Sequence, residues 1–124
     1  EERTNKDILM TYEPVSWIKL NTGEEQKIED WSLSKLVYGV AGIANPNNFF
    51  STLRNLGFEV IENSFPDHHT FSKADFMGLE DLPIIMTEKD AIKCKNFVGN
   101  FWYLKIEAKL SDDFADEIYN QIVS

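Results

Sequence analysis

The clearest pattern in the chain is a continuous apolar run at residues 36–43, followed at once by a helical pattern. An unbroken run of this kind is typical of a strand that is covered on both faces, as in parallel sheets. Asn45 and Pro46 indicate a helix start, because asparagine caps well and proline is tolerated at the first helical position. The apolar positions that follow have helical spacing: Phe49, Phe50, Leu53 and Leu56. Gly57 suits a left-handed helix end, so the pattern predicts a strand–turn–helix unit.

Strand and helix signals then alternate along the rest of the chain. Further strands are predicted at residues 58–65, 83–86 and 101–106. Helix starts are predicted at Ser72, Thr87 and Ser111, since each hydroxyl residue is followed by acidic residues within one turn. Strands that alternate with helices imply crossover connections and a parallel sheet. We therefore predict an α/β fold, a small three-layer and Rossmann-like domain with a mainly parallel four-stranded sheet.

The first part of the chain has a different pattern. Asn21-Thr22-Gly23 has the composition of a turn, and short apolar stretches lie on both sides of it. Residues 1–30 are therefore predicted to form a β-hairpin or an extended arm. The expected division is an arm or hinge hairpin at residues 1–30 and an α/β domain at residues 31–124.

Charge and cysteine content narrow the classes of partner and site. The 124 residues include 12 Lys and Arg against 21 Asp and Glu, which leaves a net charge of −9. Such a surface repels a phosphate backbone, so no nucleic-acid partner is expected. Cys94 is the single cysteine, which excludes an intrachain disulfide and a cysteine zinc cluster. Its apolar neighbours in a predicted helix favour core packing over nucleophilic catalysis.

Candidate chemistry is expected where parallel strands end, because ligands gather at the carboxyl edge of such sheets. Four loops are predicted there: residues 42–45, 63–70, 86–90 and 107–111. The second loop contains Asp67, His68 and His69, and histidine suits acid–base work and metal binding. Asp67 could orient an imidazole or bind a metal, with Asp75 and Asp90 as further carboxylates. The alternative is a turn capped by Asp67 with two surface histidines.

Two other loops carry weaker signals. Thr87-Glu88-Lys89-Asp90 places a hydroxyl and a lysine at a helix start, which suits either an anion site or a simple capping box. Gly39 favours close packing, whereas Gly42 could let a ligand approach the backbone. The sequence contains no Gly-x-x-x-x-Gly-Lys-Ser/Thr phosphate-binding loop.

Four blocks together resemble the C-terminal part of the tetraacyldisaccharide 4′-kinase family, the lipid A 4′-kinases of Gram-negative bacteria. The blocks are residues 40–57, 65–69, 86–94 and 102–104, in this order and spacing. The resemblance implies transfer of the γ-phosphoryl group of ATP to the 4′-hydroxyl of a tetraacyldisaccharide 1-phosphate, with Mg²⁺. It also implies a two-domain enzyme at the cytoplasmic side of the inner membrane. The N-terminal P-loop domain would be the partner of this chain and would bind most of the ATP and Mg²⁺.

The resemblance also implies roles for individual residues. His68 would face the cleft and pair with an aspartate of the N-terminal domain, and Asp67 would orient it. Thr87 and Lys89 would shape the floor of the cleft or meet nucleotide phosphates, and no metal ligand is expected in this chain. Without the P-loop domain the chain is expected to be an inactive fragment. Two alternatives stay open, a stand-alone module that binds an anion or a partner, and a metal-dependent phosphoesterase built on Asp67, His68 and His69.

Overall fold

The computed structural model describes residues 10–110, with side chains at residues 12–108. This part of the chain forms six strands and two α-helices: β1 (Met10–Lys19), β2 (Glu25–Lys27), β3 (Leu36–Ala41), α1 (Pro46–Asn55), β4 (Glu59–Ser64), β5 (Ile84–Thr87), α2 (Glu88–Cys94) and β6 (Phe101–Leu110). Two 3₁₀ turns are added at Ile28–Asp30 and Lys73–Phe76. The helix predicted to start at Ser111 lies outside the described residues. Neither described α-helix has the length and apolarity needed to cross a bilayer.

The chain divides into two compact units. One unit is Ser16–Lys105, which contains every candidate site residue. The other unit is described at residues 10–15 and 106–110. All packing discussed below lies within Ser16–Lys105. The expected division at residue 30 into an arm and a domain stays a prediction.

The six strands form one sheet in the order β2-β1-β6-β5-β3-β4. The pairs β3–β4, β3–β5 and β5–β6 are parallel, and the hairpin pair β1–β2 is antiparallel. The predicted α/β fold with a mainly parallel sheet is therefore confirmed. The sheet has six strands where four were predicted, because the hairpin joins it beside β6. Its N–H at Leu20 bonds to the carbonyl of Phe101, which covers a backbone edge that β6 would otherwise expose.

Both faces of the sheet are covered, as a three-layer fold requires. Side chains alternate along β3, so that Val37 and Ala41 join one buried cluster while Val40 joins another. The first cluster includes Phe49, Phe50 and Leu53 of α1. The second includes Ala91 and Cys94 of α2, with Phe71 and Phe76 from the segment before β5. The apolar repeat predicted for α1 therefore faces the sheet as expected.

Two predicted elements differ from the structure. The helix expected from Ser72 is only the 3₁₀ turn Lys73–Phe76, since Met77 is extended and Gly78 has a φ of 86°. Its start agrees with the prediction, because the carboxylate of Asp75 accepts the N–H of Ser72. The loop expected at residues 107–111 is wrong, because β6 continues to Leu110.

Gly39 of β3 leaves no room for a side chain between β3 and the elements packed beside it. A Cβ atom at this position would lie 2.7 Å from Cγ1 of Val60 and 3.0 Å from Cε1 of Phe50. Both distances are shorter than normal carbon contacts, and Phe50 is buried in the core. The structure therefore agrees with the close packing expected for Gly39.

We expect Gly39→Ala to lower the free energy of unfolding by about 1–3 kcal/mol, because overpacking forces β4 or α1 to shift. Urea unfolding measures this change. Ser51→Ala, an exposed position in α1, serves as the matched control and should unfold like the wild type. Equal midpoints for Gly39→Ala and Ser51→Ala would show that the contact is not tight in solution.

Candidate active site

The loop that carries both histidines follows β4 and is here called the histidine loop, residues 65–71. The N–H of Phe65 bonds to the carbonyl of Ala41, which joins the start of this loop to the end of β3. The N–H of His69 bonds to the carbonyl of Pro66 and closes a turn. The loop therefore lies at the carboxyl edge of the parallel strands, where the sequence placed it.

His68 is presented to solvent by this turn. Its φ of 64° lies in the left-handed region, and its side chain is 78% exposed. Nε2 of His68 lies 3.6 Å from Oδ2 of Asp67, which is an ion-pair distance and too long for a hydrogen bond. Nζ of Lys89 lies 3.7 Å from Oδ1 of the same carboxylate. Asp67 therefore has an imidazole on one side and an ammonium group on the other.

His69 has a different environment from its neighbour. Its ring stacks on Phe65 at 4.7 Å and meets Phe71 edge to face at 4.8 Å. Nε2 of His69 hydrogen-bonds to Oδ2 of Asp75 at 2.9 Å. The two histidines therefore have separate roles, since His69 anchors the histidine loop and His68 stays accessible.

Asp75 is the hydrogen-bond partner of His69. The backbone N–H of Ser72 and the ring of His69 both bond to its carboxylate, and these contacts lower the pKa of Asp75. Sequence reasoning named Asp75 as a capping residue and as a possible further carboxylate of a metal site, and missed its pairing with His69. The capping-box spacing from Ser72 to Asp75 was the available signal, because it turns the carboxylate back toward the preceding loop.

One face of α2 also contacts the histidine loop. Lys89 and Lys93 are four residues apart and lie on the same side of the helix. Lys89 is near Asp67, and Nζ of Lys93 donates to the carbonyl of His69 at 3.2 Å. Both lysines therefore border the candidate site.

Thr87 and Asp90 form a helix cap at the start of α2, in which their side chains and backbone bond to each other. Oγ of Thr87 accepts the N–H of Asp90 at 3.1 Å and donates to Oδ2 of Asp90 at 2.8 Å. The same Oδ2 accepts the N–H of Gly42 at 2.8 Å. The hydroxyl of Thr87 is therefore used inside the protein, while Lys89 keeps an exposed ammonium group.

Gly42 is buried by its own chain. A Cβ atom here would lie 3.2 Å from Cζ of Phe71 and 3.4 Å from both Oδ1 of Asp90 and the carbonyl oxygen of Pro66. The sequence left room for a ligand to approach this glycine, and that interpretation is wrong, because the histidine loop and α2 fill the space.

Neither the thiol of Cys94 nor a cluster of acidic residues adds a reactive centre within the described residues. Burial raises the pKa of the Cys94 thiol to about 11, and the nearby negative charge of Asp90 adds to the effect. Such a thiol is not nucleophilic near neutral pH, in agreement with a packing role. Across the described residues, no three His, Cys, Asp or Glu side chains converge as a metal site would require.

A cavity of about 350 Å³ lies at the opposite, amino end of the strands. Its walls are mainly apolar, with Phe76, Leu82 and Phe101 among them, although Lys73 and Glu80 also line it. No histidine or buried carboxylate faces it, so we place the candidate chemistry at the histidine loop.

Comparison with known proteins identifies the family of this chain. The sequence profile described as tetraacyldisaccharide-1-P 4′-kinase matches residues 1–123. The chain belongs to this family. The resemblance seen in the four sequence blocks is therefore confirmed.

Individual relatives agree with the family assignment. A tetraacyldisaccharide 4′-kinase of Hahella chejuensis is 38% identical over 94% of this chain and 34% of its own length. One from Legionella pneumophila is 44% identical over 86% of this chain and 32% of its own. The crystal structure of LpxK from Aquifex aeolicus in complex with ATP has a TM-score of 0.63 and 27% identity, over 90% of this chain and 35% of that one. The chain thus spans about a third of the length of its relatives.

We expect Asp75→Asn to lower the free energy of unfolding by about 1 kcal/mol at neutral pH, because the neutral amide binds His69 and Ser72 less strongly. The lowered pKa of Asp75 stabilises the fold above the unfolded-state value of 3.8, and this stability is lost as the pH falls through the folded-state pKa. The acid-induced loss below about pH 4 should therefore be smaller in the variant.

Urea unfolding at a series of pH values measures both effects. Asp30→Asn, at an exposed aspartate of the 3₁₀ turn Ile28–Asp30, is the matched control and should follow the wild-type curve. Parallel curves for Asp75→Asn and the wild type across the acid range would contradict the pairing of Asp75 with His69.

Proposed function

We propose that this chain is part of an enzyme that transfers the γ-phosphoryl group of ATP to the 4′-hydroxyl of a tetraacyldisaccharide 1-phosphate. Family membership supports the reaction, and the ATP complex of LpxK from Aquifex aeolicus supports the phosphoryl donor. The observation that carries the proposal for this chain is the accessible imidazole of His68 at the carboxyl edge of the sheet.

In this proposal His68 tunes or orients the group that takes the proton of the acceptor hydroxyl. Phosphoryl transfer depends on positioning and charge, and a base must orient or accept the proton of the attacking oxygen. His68 would pair with an aspartate from the remainder of the protein, which would take that proton. Asp67 would hold the imidazole in place, since its carboxylate lies 3.6 Å from Nε2.

Lys89 is the candidate for contact with nucleotide phosphates. Its ammonium group is exposed and lies beside Asp67, so an anion bound near His68 would be within its reach. Thr87 supports the same region indirectly, because its hydroxyl bonds to Asp90 beneath the loop. Mg²⁺ supplies charge neutralisation on the phosphates, and we assign its ligands to the remainder of the protein.

The partners follow from what this chain does not contain. Its sequence has no Gly-x-x-x-x-Gly-Lys-Ser/Thr loop, and its relatives are about three times longer. We infer that a P-loop domain of the same protein supplies the phosphate cradle, and that the two parts enclose the reaction and exclude water. The whole protein would act on its acylated substrate at the cytoplasmic surface of the inner membrane.

The other two functions considered have weaker support. The comparisons give no support to a stand-alone module that binds an anion or a partner, because the relatives named here are kinases. A metal-dependent phosphoesterase needs several convergent ligands. Its three-residue core is split, since His69 is bonded to Asp75 while His68 faces solvent.

We expect His68→Ala in the full-length protein to lower kcat by about 10²–10⁴-fold, the range of general acid–base catalysis. The fold should be unchanged, because this side chain is 78% exposed. Kinase assays with ATP and the tetraacyldisaccharide 1-phosphate measure the effect. Thr70→Ala, an exposed residue of the same loop, is the control. Wild-type turnover in His68→Ala would remove this residue from the mechanism.

The isolated chain should have no measurable kinase activity, because the phosphate-binding loop absent from its sequence positions the γ-phosphoryl group. The assay compares the chain of residues 1–124 with the full-length protein at equal concentration. Turnover by residues 1–124 alone would show that this chain holds a complete site.

A further inference from the structure

Asp90 is the buried residue of the Thr87–Asp90 block, and the proposed reaction does not explain why it is buried. The residue is 0% exposed, although carboxylates are seldom fully buried. Its Oδ2 accepts two hydrogen bonds, one from the N–H of Gly42 and one from the hydroxyl of Thr87. Its Oδ1 is also buried and has no hydrogen-bond partner among the described residues.

Helix capping alone does not account for this arrangement. An acidic residue at the third helical position of a capping box bonds back to the N–H of the cap residue at the helix surface. The carboxylate of Asp90 instead crosses from α2 to the end of β3. Burying a charged group for this purpose is costly, so the contact with β3 is the feature that requires an explanation.

The carboxylate joins segments that are far apart in sequence. Gly42 directly follows β3, and Thr87 is the last residue of β5, which is the parallel neighbour of β3. Gly42 in turn lies under the histidine loop, against Pro66 and Phe71. The bonds of Asp90 therefore fix the surface on which the histidine loop rests.

The same carboxylate also sets the position of α2. Lys89 and Lys93 extend from this helix to Asp67 and to the carbonyl of His69. If the start of α2 moved away from β3, both lysines would move with it. Asp90 can therefore influence the histidine loop from below, through Gly42, and from the side, through the two lysines.

We propose that Asp90 is a positioning residue for phosphoryl transfer, holding the ends of β3 and β5 and the histidine loop so that His68 faces the reacting groups. This inference rests on the proposed function and deepens it. It predicts that Asp90 contributes to turnover without touching either substrate.

The test uses Asp90→Asn in the full-length protein, because asparagine keeps the shape but loses the charge and places an amide donor in a buried site. We expect kcat to fall about 10–100-fold, as displacement of a reacting group by about 1 Å can do. Thr87→Val should behave alike, and Thr87→Ser should restore kcat because it keeps the hydroxyl.

Loss of stability is separated from loss of positioning by Leu56→Ala. Leu56 packs on the opposite face of the sheet, so this variant loosens the fold without touching the histidine loop. Its kcat should stay at the wild-type value at a temperature where it is folded. If Leu56→Ala and Asp90→Asn lose the same activity at matched stability, the role of Asp90 is only structural and the inference is wrong.

A double variant shows whether Asp90 acts through His68. Adding Asp90→Asn to His68→Ala should cause little further loss of kcat, since residues that act as a unit are not additive. Full additivity of the two losses would overturn the inference.

Hydrogen–deuterium exchange gives a readout that does not depend on activity. Exchange at residues 40–44 and 65–71 should be faster in Asp90→Asn, and exchange in α1 should be unchanged. Unchanged exchange in both segments overturns the inference. Wild-type turnover in His68→Ala alone contradicts the proposed function instead, and exchange then still decides whether Asp90 holds the loop.

Discussion

The ends of two neighbouring parallel strands are joined by a single buried carboxylate. Asp90 accepts hydrogen bonds from Gly42, just after β3, and from Thr87, at the end of β5. Parallel pairing brings these ends to one edge of the sheet, and Asp90 holds them there at a desolvation cost that an exposed cap would avoid. The histidine loop lies on this base, so the position of its side chains depends on the bond from helix to strand.

The two adjacent histidines of this loop differ in their contacts and in their exposure to solvent. His69 is held by an aromatic stack on Phe65 and by the carboxylate of Asp75, which leaves it little freedom. His68 lies in a left-handed conformation inside the turn closed by the bond from the N–H of His69 to the carbonyl of Pro66, and its ring faces solvent. A held residue beside an exposed one suits the proposed enzyme, in which a second domain would complete the site, because the exposed group must be presented before closure.

Much of the fold followed from patterns along the chain. The apolar run before Asn45 and Pro46, and the helical repeat after them, predicted β3 and α1 because both elements bury what their periods indicate. The hairpin turn at Gly23 was also visible. The patterns could not show that the hairpin joins the sheet. Pairing between backbones at a sheet edge does not change the periodicity of the side chains.

The residue types of the candidate site were evident from the sequence, because Asp67, His68 and His69 follow a strand and the family blocks enclose them. The resemblance already pointed to His68, whereas the reason why His69 is held back became evident only from the tertiary structure, since it depends on Asp75 and on aromatic rings that fold onto the loop. The place of Asp90 was likewise hidden, because its spacing from Thr87 is that of an ordinary cap. Spacing reports neighbours along a helix, whereas burial against another strand exists only once the chain is packed.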